Sequence, residues 1–177
     1  MGNGIAHVFA QHGWTVTLVD VAQDALARGL ATIKKNLERQ VKKGALSTEQ
    51  GAETIARIKT STNLDKLQNV ELVVEAVSEN PDTKFDVFEE LDRLAPKGTI
   101  LASNTSSISI TEIAKQTKRP DRVIGMHFMN PVPLMPLVEI VRGRGTRSSR
   151  KRSKSQRSWG RRLSSSTTRP ASCRTAC

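Results

Sequence analysis

The sequence predicts an α/β protein whose mainly parallel sheet is wound on both faces by helices. Three observations carry this expectation. Short β-branched runs alternate with helical patterns through residues 1–142, as βαβ units require. One run, VELVVEAV at 70–77, is almost continuously apolar, the pattern of a parallel strand covered on both sides. The chain also opens on a glycine-led helix followed by a strand, TVTLVD, that closes on an acid. At 177 residues, one domain or one and a half is expected.

The elements follow in order. Ile5, Val8 and Phe9 have the spacing of a buried helical stripe, and Gly13 suits the left-handed residue that ends such a helix. TVTLVD (15–20) is the first strand. Leu26, Leu30, Ile33, Leu37 and Val41 then recur at three- and four-residue steps, giving a long amphipathic helix closed by Gly44. STEQ at 47–50 has capping-box form and opens a further helix. After the 70–77 strand, Pro81 suits the first turn of a helix carrying Phe85, Val87, Phe88 and Leu91. TILAS (99–103) is a strand, ITEIAKQ (110–116) a short helix, RVIGMHF (122–128) a strand and LVEIV (137–141) a last one.

The net charge of +11 is local to one end. Residues 143–177 hold eleven basic residues and no acid, so the remaining 17 Lys and Arg balance 17 Asp and Glu. Cys173 and Cys177 lie in the same tail, leaving the body neutral and cysteine-free. No apolar run approaches a membrane span and no signal peptide opens the chain. A cytoplasmic protein without a membrane partner is expected.

Gly2 fits the last glycine of a G-x-G-x-x-G dinucleotide fingerprint, and Asp20 lies 18 residues further on at a strand's end. In that arrangement the helix N-terminus takes the pyrophosphate and the acid takes the ribose hydroxyls. The carboxylate at Asp20 points to NAD over NADP, because it repels a 2′-phosphate. Read without that context, the same residues are a helix after a flexible terminus and a strand-ending acid.

Two further segments resolve the choice. ILASNTSSISIT (100–111) and VIGMHFMNPVPLMPLVEIVRG (123–143), with GNGIAHVFAQHG, VTLVD and LVVEAVSEN, closely resemble the 3-hydroxyacyl-CoA dehydrogenase family, above all its short-chain 3-hydroxybutyryl-CoA members. The likeness covers residues 2–143. It implies a Rossmann-like fold, NAD as cofactor, and oxidation of the 3-hydroxyl of a short-chain (S)-3-hydroxyacyl-CoA to the ketone in fatty acid or butanoate metabolism. On their own chemistry, His127 suits the base, since an imidazole ordinarily titrates near pH 6.5, and Glu139 on the next strand suits its orienting partner. On the resemblance, Ser106 and Asn130 hydrogen-bond substrate oxygens. Glu79 and Lys84, with Ser106, line the nicotinamide and ribose region, and Lys43 reaches the CoA. Plainer readings stand beside these: His127 alone as a structural histidine, Glu139 as a strand-edge carboxylate, Ser106 as a turn residue, Lys43 as a solvated helix charge. His7 and His12 read as surface or packing residues, and the Lys-Lys pairs at 34–35 and 42–43 as solvated faces.

The family continues past its last strand with a regular α/β segment and a helical domain that dimerises. Residues 144–177 replace this with a basic, low-complexity stretch expected to be disordered and able to hold polyanions non-specifically. With Trp159 its lone aromatic, specific nucleic-acid binding is not expected. A frameshift near 144–148 explains more. From Trp159 on, codon choices exist for which the neighbouring frame restores LGKKTVVVNDTPGFVSNRV, with the family's P-G-F-V-x-N-R. Thr175 then stands in place of a substrate-binding asparagine. The first central strand and two fingerprint glycines are also expected to be missing. That loss would leave two strand edges unpaired and the chain an unstable, inactive fragment. Two other classes remain: a non-catalytic nucleotide-binding module, marked by ligand binding without turnover, and a polyanion binder, marked by salt-sensitive DNA binding that survives deletion of 1–142.

Overall fold

The computed structural model describes residues 1–143 and 174–176. Helix α1 (Gly2–Gln11) leads into β1 (Thr15–Val19), then α2 (Gln23–Lys42), α3 (Thr48–Ala56) and β2 (Ile58–Ser61). β3 (Leu72–Glu75), α4 (Pro81–Leu94), β4 (Ile100–Ser103), α5 (Ile110–Lys115), β5 (Val123–Phe128) and β6 (Val138–Arg142) follow, with β7 (Arg174–Ala176) closing the list. The sheet order is β2-β1-β7-β3-β4-β5-β6. Every pairing is parallel except β5 with β6. This is the doubly wound, Rossmann-like sheet the sequence predicts.

Local chemistry explains the boundaries. Gly13 (φ +92°) and Gly44 (φ +70°) end α1 and α2 in the left-handed region that side chains avoid. Ser47 and Gln50 close a reciprocal capping box on α3, and Asn80 Oδ1 accepts from Thr83 N with Pro81 in the first turn of α4. The helices bury their apolar stripes on the two sheet faces. Ala6, Ala10, Leu26, Ile33 and Leu37 pack on β1, while Phe88, Leu91, Ile110 and Ile113 pack on β3, β4 and β5.

Two expectations need correction. The edges of β1 and β3 are not open: Arg174–Ala176 lie between them, with Thr175 in register with Val16 on one side and Leu72 on the other. A parallel slot with unmet donors and acceptors on both walls takes any extended backbone that reaches it, whatever its side chains. These three residues are therefore strand and not disordered tail. The rest of that tail, with both cysteines and Trp159, lies outside the described residues. β2 was not anticipated either. Its four residues, IKTS, bury only Ile58 fully and offer no apolar run to read.

His7 is buried on α1, and among the described residues neither ring nitrogen has a hydrogen-bond partner. It is a packing histidine, and burial pushes its pKa below the usual 6.5. The unfolded chain therefore takes up this proton first, so His7 contributes stability above about pH 6.5 that is lost as pH falls toward the folded value, at up to about 1.4 kcal/mol per pH unit. Urea denaturation at pH 7 and pH 5.5 checks this. The loss expected of the parent chain is smaller in His7→Leu.

Candidate active site

The parallel strands all end on one side, and that carboxyl edge gathers the predicted residues. An open α/β sheet binds ligands there because loops diverge and helix N-termini point inward. Asp20 follows β1, Glu79 follows β3, Ser106 follows β4, His127 sits near the end of β5 and Asn130 two residues beyond that strand. β6 returns antiparallel, so its first residues face the same edge.

His127 and Glu139 are register partners across β5 and β6. Cross-strand partners hold their Cβ atoms about 5 Å apart, close enough for an imidazole and a carboxylate to meet. Here His127 Nδ1 lies 3.0 Å from Glu139 Oε2. An ionised carboxylate only accepts, so Nδ1 carries the hydrogen and the neutral ring leaves its Nε2 lone pair free. Glu139 thus fixes the tautomer a base needs. Asn104 holds the neighbouring backbone: its N–H donates to the Glu75 carbonyl at 2.8 Å, while its Oδ1 accepts from Phe128 N at 2.9 Å. One residue, through its backbone N–H and its side chain, so ties the ends of β3, β4 and β5 together beside His127.

Glu79 organises the turn after β4. Its Oε1 accepts from Ser106 N at 2.9 Å, Ser107 N at 3.2 Å, Ser107 Oγ at 3.0 Å and the Thr105 hydroxyl. Desolvation pushes this carboxyl up, but the hydrogen bonds from Thr105, Ser106 and Ser107 outweigh it and hold it at about 2. Lys84 Nζ stands 3.4 Å from the other oxygen. Glu79, Lys84 and Ser106 are thus one connected group, although nothing in the residues around Lys84 marks it as buried. Sequence reasoning also passed over Asn104, Thr105, Ser107, Ser103 and Glu75. Glu75 carried the same signal as Asp20, an acid closing an apolar strand, and was hidden inside an apolar run.

Lys43 is not brought to this group. It is the exposed residue capping α2, whose twenty residues span about 30 Å from a start three residues past Asp20.

The residues at this edge fit NAD. The α1 N-terminus has no side-chain cap and no acid in its first turn, so its leading N–H groups suit a pyrophosphate. A Cβ placed on Gly2 would touch Leu18 Cδ1 at 3.9 Å and Ala76 Cβ at 4.0 Å, which sets that helix start close against the ends of β1 and β3. Asp20 is exposed, with Oδ1 accepting from Ala22 N at 2.9 Å and Oδ2 left to accept from a ribose hydroxyl.

Known proteins of the same fold resemble this chain. The family model for the 3-hydroxyacyl-CoA dehydrogenase NAD binding domain matches residues 1–156. A probable 3-hydroxybutyryl-CoA dehydrogenase of Bacillus subtilis (strain 168) is 49% identical over 146 residues, which is 82% of this chain and 51% of that protein. The 3-hydroxybutyryl-CoA dehydrogenase of Clostridioides difficile is 48% identical over 146 residues, covering 82% and 52%. The crystal structure of (S)-3-hydroxybutyryl-CoA dehydrogenase from Ralstonia eutropha superposes with a TM-score of 0.81 at 47% identity, over 82% of this chain and 52% of that one. The chain spans about half the length of the curated relatives it matches. Its sheet, its paired histidine and glutamate and this likeness lead to one conclusion: the chain belongs to the 3-hydroxyacyl-CoA dehydrogenase family, over the span of that family's NAD-binding domain.

Proposed function

We propose that this chain carries the cofactor-binding and proton-transfer half of an NAD-dependent oxidation of short-chain (S)-3-hydroxyacyl-CoA to 3-ketoacyl-CoA. The observation that supports it is the 3.0 Å contact of His127 Nδ1 with Glu139, at the edge that also holds Asp20, Glu79 and Ser106. His127 Nε2 accepts the proton of the substrate's 3-hydroxyl. Glu139 keeps the ring oriented and offsets the positive charge it gains. Ser106 and Asn130 hydrogen-bond the substrate oxygen as its C–O bond gains double-bond character. Gly2 at the head of α1 and Asp20 hold the cofactor. When bound, NAD supplies the acceptor for the hydrogen that leaves C3 with its electron pair.

The acyl-CoA needs walls that the described residues do not provide. Leu134, Leu137, Ile140 and Val141 are exposed, and Glu139 is 52% exposed. A histidine–glutamate pair open to water is a poor dehydrogenase site, so the described residues alone support slow turnover. Covering by another protein surface, as in a dimer of the full-length family form, would complete it.

Calorimetric titration tests the cofactor reading. NAD is expected to bind, with NADP weaker by about tenfold or more because its 2′-phosphate meets the Asp20 carboxylate. Asp20→Asn narrows that difference. Equal or tighter binding of NADP by the parent chain contradicts it.

A further inference from the structure

One buried carboxylate takes no part in the chemistry above. Glu75 ends β3, directly opposite Ser103 in the β3–β4 register. Its side chain is 1% exposed, and three donors converge on it. Lys84 Nζ at 2.7 Å and Val77 N at 2.6 Å donate to Oε1, while Ser103 Oγ donates to Oε2 at 2.6 Å. Lys84, itself 1% exposed, faces Glu75 Oε1, Glu79 Oε2 at 3.4 Å and the Val77 carbonyl at 3.4 Å. The Glu75 carboxylate and the Val77 carbonyl accept hydrogen bonds from this ammonium, and Glu79 Oε2 stands beside it as a second ion-pair partner.

Both supports of the turn after β4 lead back to Glu75. On one side, Lys84 bridges Glu75 to Glu79, and Glu79 Oε1 gathers Thr105, Ser106 and Ser107. On the other, the Ser103 hydroxyl that donates to Glu75 accepts from Thr105 N at 3.3 Å. Thr105 Oγ1 then accepts from Ile108 N at 2.9 Å. We infer that Glu75 is a positioning residue: through Lys84 and Ser103 it sets the place of Glu79 and of the 105–107 turn, and hence of Ser106. The role of Ser106 rests on the dehydrogenase reading; the bonding that fixes the turn does not.

The test is the titration of the Glu79 side-chain carboxyl in the full chain, followed by carbon-13 NMR, in the parent, Glu75→Gln and Ser103→Ala. The sign decides. Neutralising Glu75 removes a negative charge near Glu79, so with the geometry unchanged the Glu79 midpoint can only stay at about 2 or fall. If Glu75 holds the turn in place, its loss withdraws donors from Glu79, and the midpoint rises by about one unit or more toward the ordinary 4.5. A lower global stability with the folded geometry intact does not move this midpoint. Ser103→Ala adds no buried charge and is expected to raise the midpoint in the same direction, by less; it decides the matter if Glu75→Gln does not fold. A Glu79 midpoint that stays or falls in Glu75→Gln, or is unmoved in Ser103→Ala when Glu75→Gln is unfolded, overturns the inference. Neither readout uses cofactor or substrate, so this outcome is separable from failure of the dehydrogenase reading.

Discussion

His127→Gln is expected to lower kcat for NAD-dependent oxidation of (S)-3-hydroxybutyryl-CoA by about 10²–10⁴-fold, the usual contribution of a positioned general base. Glutamine retains a hydrogen-bonding amide of similar reach, so NAD affinity and substrate KM should change little. It cannot take a proton near neutral pH, and the loss therefore falls on kcat. Glu139→Gln is expected to cost less. The base remains, but the amide that replaces the carboxylate can present a donor to Nδ1 and favour the wrong tautomer. Steady-state kinetics on the two variants check both statements. Equal kcat in parent and His127→Gln removes His127 from the reaction.

The second large effect concerns stability. Thr175→Pro is expected to lower the melting temperature by about 6–12 °C, from a loss of about 3 kcal/mol or more. Thr175 is in register with Val16 on β1 and Leu72 on β3, at the centre of the sheet. Proline has no N–H and is confined to edges and strand starts, so it expels the strand or breaks its ladder. Both walls of the slot then lose their partner at once. Calorimetric melting of the parent and variant measures the change. An unchanged midpoint means that Arg174–Ala176 do not support the sheet.

The two effects show where a single sequence is informative. The helices were legible because each carries a stripe, a cap or a closing glycine: Leu26 to Val41 with Gly44, Ser47 with Gln50, and Pro81. Strands covered on both faces were legible as apolar runs. β2 was not, because an outer strand with one fully buried residue has no run to show. β7 could not be, since R-T-A has no strand pattern and its pairing is dictated by the walls it lies between. At the site, His127 and Glu139 stood out because His127 lies in H-F-M-N-P-V-P at a strand's end and Glu139 on the next strand. The Glu75–Lys84–Ser103 group did not. Its members lie 9 and 28 residues apart along the chain, and only the parallel β3–β4 register joins them. Lys84 sits on α4 among charged neighbours, Asp82 and Asp86, and nothing in that pattern marks it as the buried one.

The most direct measurement of the central claim is a single-turnover reaction with the chain in excess, using (S)-3-hydroxybutyryl-CoA deuterated at C3 together with NAD, followed by mass spectrometry. The expected result is deuterium in the reduced cofactor and a ketone in the acyl product, both formed about 10²–10⁴-fold more slowly in His127→Gln. Deuterium that stays on the acyl-CoA, or transfer that proceeds equally without His127, contradicts it.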